Sequence, residues 1–209
     1  MPDATAFLAF ALASLALNIV PGADMTFVAA SAARGGRRVG LAAALGIAAG
    51  CFAHILAAVV GLSALIAASA EAFTLLKWLG AAYLLYMAWG LLRAPKAATA
   101  SVPASKLTAG QVFRSAALVN VLNPKVGLFF LAFLPQFVDP ASGSATLAIL
   151  ALGLWFNFSG TLVNAIVALA AAQAAGSLRD RPAVVRLARW FAATAMAGLA
   201  AQLALSRAR

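Results

Sequence analysis

Long apolar runs separated by short polar stretches dominate the chain, and from Ala4 to Ala33 the only charged residue is Asp24. A helix needs about 20 apolar residues to cross the roughly 30 Å hydrocarbon core of a bilayer. Six runs meet that length, at 5–32, 39–66, 72–92, 112–135, 144–172 and 187–206, and predict six transmembrane helices. The connections between them are short. The longest, RAPKAATASVPASKLTAGQ (93–111), carries two prolines among small polar residues and reads as a linker. The expected fold is therefore an all-α integral membrane domain that occupies residues 1–209 as a single unit.

Two of the predicted helices contain proline next to polar residues. The first reads Asn18-Ile-Val-Pro21-Gly22 and the fourth Asn120-Val-Leu-Asn123-Pro124-Lys125. Each opens a set of three helices, and the two sets start on opposite sides of the membrane. Three plus three helices of opposite orientation are the signature of an inverted-topology repeat, here with halves at roughly 1–95 and 108–209. Helices 1 and 4 are expected to break at their prolines, because proline removes an N–H and clashes with the carbonyl four residues back. The groups so freed must then be met by protein or by a wet cavity. A simple structural kink is the alternative, but flanking Asn and charged residues in both halves favour a substrate site.

Composition narrows the class. The chain has 209 residues, 65% hydrophobic and only 10% charged, with a mean hydropathy of +0.99, which is too few polar groups to cover a water-facing surface. The net charge of +10 does not indicate nucleic acid, because the charges sit at the ends of apolar runs. Eleven of the fifteen Lys and Arg fall in the loops after helices 1, 3 and 5, so those loops are predicted cytoplasmic and both termini periplasmic. Arg207 and Arg209 oppose this and are outvoted. Met1-Pro2-Asp3 lacks the basic start of a signal peptide. Cys51 is the single cysteine, which excludes an internal disulfide.

Asp24 and Lys125 are the sharpest candidates, about 12 and 20 Å from the cytoplasmic ends of their helices. An ionised group there costs several kcal/mol unless it is paired or lines a cavity. Pairing the two across the bundle lowers that cost, and a transported zwitterion can insert between them. The alternatives are that Asp24 caps the helix restarting after Pro21-Gly22 and that Lys125 snorkels outward. His54 follows Gly46 and Gly50 at four-residue spacing, on a face where another helix packs closely. It either relays protons or bonds a neighbour. Asn157, Thr161 and Asn164 share one face of helix 5, toward the bundle interior or a pathway, where each either lines that pathway or ties helices together. Lys77 lies near the outer end of helix 3 and reads as snorkelling, while Trp78, Tyr83, Tyr86 and Trp89 are spread along that helix. No catalytic set, cofactor motif or metal site emerges.

The combination of PGAD, ARGGRRVGLAAALGIAAG, LKWLGAAYLLYMAWGLLR and NVLNPKVGLFFLAFLPQFVDP resembles the LysE/RhtB family of bacterial amino-acid exporters. The likeness is clear over residues 18–140 and rests on the helix pattern elsewhere. It implies export of an amino acid or a close derivative, as zwitterion or cation, across the bacterial inner membrane, driven by proton uptake. The family motif reads PGPD, and Ala23 replaces its second proline, which makes the expected break milder. By motif the likeness carries over Pro21, Gly22 and Asp24 with Asn123, Pro124 and Lys125, and matches Gln136-Phe137; the reading of the residues themselves adds Asn18, Asn120, His54, Asn157 and Asn164 to the expected substrate and proton site. Asp24 is expected to take the substrate ammonium or a proton, and Lys125 the carboxylate end. A homodimer is left open. Rival classes fit less well. A soft-metal exporter needs more than one Cys and one His. In Asn157-Phe-Ser-Gly160 a protease would have a serine, with His54 a hundred residues away. One Lys beside one Asp is a poor anion ring.

Overall fold

The computed structural model describes residues 3–68, 108–138 and 143–173, with Trp78, Ala82, Trp89 and Thr194 described singly. Every regular element among the described residues is helical. Predicted helices 3 and 6 lie almost wholly outside these residues, as do Lys77, Tyr83, Tyr86 and linker positions 93–107.

Helix α1 (Ala4–Ile19) starts at Asp3, whose carboxylate accepts from Ala6 N–H at 2.7 Å, one of the donors a helix start leaves unpaired. It ends at Ile19, two residues before Pro21, and Val20 is already extended. Helix α2 (Ala23–Ala68) then begins after Gly22. Its one non-helical residue is Gly36, with φ 73° and ψ −171°, a conformation that residues with a Cβ avoid. Across Gly36 the chain doubles back. A Cβ on Gly40 would lie 2.5 Å from that of Ala32, although residues eight apart in a straight helix are separated by about 12 Å. The two arms, 23–35 and 37–68, therefore form a tight hairpin with one residue at its tip.

Helix α3 (Ala109–Val121) opens with a capping box: Gln111 N–H donates to Thr108 Oγ1 at 3.3 Å, and Thr108 N–H to Gln111 Oε1 at 2.9 Å. Helix α4 (Pro124–Ala132) follows at once, with proline in its first turn, a place where the missing N–H costs nothing. A 3-10 turn (Leu134–Phe137) closes this segment, and α5 (Ala145–Gln173) runs for 29 residues. The stretches Ala23–Gly61 and Ala145–Gln173 are long and apolar enough to span a membrane, while α3 and the α4 segment form a pair bent by 47°.

α2 is the hub and packs along both α3 and α5, with α1 against α5. One core is aromatic. Phe129 stacks on Phe133 and Phe156 at centroid distances of 5.0 Å, and Phe10 and Phe130 complete the cluster. The other is built of small side chains, among them Ala32, Ala43, Ala44, Ala116 and Ala168. There Gly46 and Gly50 bring α2 directly onto the α3 backbone, since a Cβ at either position would collide with the carbonyls of Phe113 and Ala117.

Candidate functional site

The site forms where the two proline junctions meet. Pro21 has no N–H, so the carbonyl four residues earlier, at Leu17, loses its helical donor. Val20 N–H takes part of the load, reaching Ala16 O and Leu17 O at 3.2 Å. Lys125 takes the rest. Its Nζ donates to Leu17 O at 3.1 Å and to Val20 O at 3.0 Å, and the side chain is buried. Gly22 leaves room for it, because a Cβ there would come within 3.3 Å of Nζ.

The second junction repeats this logic with a different donor. Pro124 frees the carbonyl of Asn120, which accepts from Asn123 N–H at 2.9 Å and from His54 Nε2 at 2.8 Å. A carbonyl only accepts, so Nε2 is the protonated ring nitrogen. Asn123 caps the restarting helix by accepting from Lys125 N–H at 3.0 Å.

Asp24 lies in the first turn of α2 and is buried. One of its oxygens, Oδ2, accepts from Asn120 Nδ2 at 2.9 Å. Among the described residues, Asp24 Oδ1 and Asn120 Oδ1 are buried with no hydrogen-bond partner, as is Asn123 Nδ2. The expected direct pairing of Asp24 with Lys125 is not what forms. Both line one cavity, but the ammonium goes to the carbonyls of α1 and the carboxylate to Asn120. The physical reason is the junction itself. Pro21-Gly22 separates the negative end of one helix from the positive end of the next, and each charge answers the end of opposite sign. Lys125 does not snorkel; it caps.

The cavity holds Asp24, Asn120 and Lys125 together with Asn157, Thr161 and Asn164, and its volume of about 20 Å³ is room for a single water. Asn157 Nδ2 donates to Ala48 O at 3.2 Å, and Thr161 Oγ1 to Asn157 O at 2.7 Å, so this face ties α5 to α2. Asn18 also borders the cavity. Its Nδ2 donates to Phe156 O at 3.2 Å and to Ser159 Oγ at 3.0 Å. His54 reaches the site only through the Asn120 backbone and is not part of the cavity wall.

A profile of LysE type translocators matches residues 15–207. The chain belongs to that family. Among similar proteins, an uncharacterised membrane protein of Pseudomonas aeruginosa is 33% identical over 194 residues, covering 90% of this chain and 83% of the relative. An uncharacterised membrane protein of Vibrio cholerae is 36% identical over 138 residues, 66% of this chain and 67% of the other. A homoserine/homoserine lactone efflux protein of Salmonella typhimurium is 35% identical over 132 residues, 63% of this chain and 64% of that protein. No solved structure matches.

Sequence reasoning missed part of the wall of this translocator. Met25, Cys51 and Phe156 line the cavity. Ser159 and Gly160 receive Asn18, and a Cβ on Gly160 would lie 3.0 Å from Asn18 Oδ1. The available signal was the Ser-Gly pair inside an apolar run, which marks a close helix approach.

Proposed function

We propose that the chain exports an amino acid or an amino-acid derivative across the bacterial inner membrane by proton-coupled antiport. Six helices in a 3+3 inverted repeat, broken at Pro21 and Pro124, carry the site, with both termini periplasmic. The observation that supports this reading best is the pair of unpartnered buried acceptors, Asp24 Oδ1 and Asn120 Oδ1, in side chains that line one cavity. Buried acceptors without donors are costly, and a primary ammonium with three N–H groups supplies what they lack. The efflux of homoserine and its lactone by a relative fits an ammonium-bearing substrate.

The space between the junctions holds about one water, so transport requires the junctions to separate and admit substrate from the cytoplasm. Asp24 holds the ammonium when ionised. Protonation from the periplasmic side removes its charge and releases the cation, and proton loss to the cytoplasm resets it.

Membrane vesicles loaded with each amino acid in turn, homoserine and its lactone included, test the proposal. Efflux of at least one should accelerate when a proton gradient is imposed, and Asp24→Asn should abolish the gradient-driven part. Absence of carrier-dependent efflux for every compound would overturn the exporter reading. Efflux indifferent to the gradient would overturn the coupling.

A further inference from the structure

We propose that the C-terminal end of α1 is a monovalent-cation site and that its occupant is the chain's own Lys125 ammonium, a tethered cation standing where a transporter could otherwise hold a free one. Three features converge there. Pro21 strips Leu17 O of its donor, and the extended Val20 turns a second carbonyl out of the helix. Both oxygens meet one nitrogen at 3.1 and 3.0 Å. The carbonyl end of a helix carries roughly half a negative charge, and Asp24 adds a carboxylate to the same cavity wall. Glycine at position 22 keeps the place open to a group as large as an ammonium.

The second junction shows that this is more than the filling of any freed carbonyl. Asn120 O is also met by a nitrogen from elsewhere in the chain, but that junction turns out one oxygen toward one ring N–H. At α1, two oxygens share a full positive charge. Unwound carbonyls and half-helix C-termini in membrane transporters are where coupling cations are coordinated. Here the cation is built in, so the chain needs no metal ion at this place, and removal of the ammonium leaves a vacancy with cation chemistry.

The experiment compares purified full-length Lys125→Ala, which opens the space, with Lys125→Met, which fills it without charge. Unfolding temperatures are measured in methylammonium chloride, sodium chloride and tetramethylammonium chloride at equal ionic strength. Lys125→Ala should unfold several degrees higher in methylammonium or sodium than in tetramethylammonium, which is too bulky for the vacancy. Wild type and Lys125→Met should show no such difference. Equal unfolding of Lys125→Ala in all three salts, or the same preference in wild type, would overturn the proposal. Should Lys125→Ala not survive extraction, the yield of monodisperse protein solubilised in each salt carries the same comparison, and equal yields overturn it. Neither readout involves transport, so this inference and the exporter reading fail separately.

Discussion

The two junctions solve one problem in two ways. In both, a proline frees the carbonyl four residues back, the residue before the proline contributes a compensating N–H, and a distant side chain supplies the remaining donor. They differ in charge. The first places a buried cation at one helix end and a buried anion at the other. The second uses an imidazole N–H at its upstream end and an Asn cap downstream. At the neutral junction the freed backbone carbonyl has both its donors. The charged junction keeps an unpartnered carboxylate oxygen, which is what a site needs if a ligand is to finish it.

Experiments can break this division of labour. The largest effect is expected for Asp24→Asn, which keeps size and hydrogen bonding but removes the charge. Gradient-driven export should fall by orders of magnitude while the protein still folds, because Asn at this position can still accept from Asn120 Nδ2. Wild-type export with wild-type pH dependence would reduce Asp24 to a helix cap. Next comes Lys125→Met, which strands two carbonyls and a helix end. Removing one partner of a buried charged contact costs about 3–5 kcal/mol, read as a lowered unfolding temperature in detergent. His54→Leu deprives one carbonyl of its second donor and should cost about 1–3 kcal/mol. If it costs as much as Lys125→Met, the contrast between junctions is wrong. Asn123→Ala, the loss of a cap, should cost about 1 kcal/mol and leave export intact. A loss of export with stability preserved would give Asn123 a role in transport beyond capping.

Much of this was legible before any coordinates. Glycine spacing placed His54 on the face that meets α3, and the structure puts Gly46 and Gly50 there against backbone. The polar residues singled out on helix 5 do face the interior, with Asn157 bonding α2. Partner choice was not legible. Periodicity tells which face a side chain shares, but whether Lys125 meets Asp24 or Leu17 O depends on the extended φ/ψ of Val20, and no spacing rule encodes that. The same holds at Gly36. The predicted helices at 5–32 and 39–66 leave a loop of six residues between them, 33–38, whereas one positive φ suffices to reverse the chain.

The bonds from Lys125 to α1 bridge 105 and 108 residues of sequence, and that separation sets a clock on biosynthesis. Chains emerge at about 5–20 residues per second, so α1 waits on the order of 5–20 s before its lysine exists. During that interval the ammonium that Leu17 O and Val20 O meet in the folded chain does not yet exist. The first junction therefore reaches its final hydrogen bonding only after residue 125 has been made. The capture of α1 by Lys125 then follows the making of α1, α2 and α3, and it ties the start of the chain to α4.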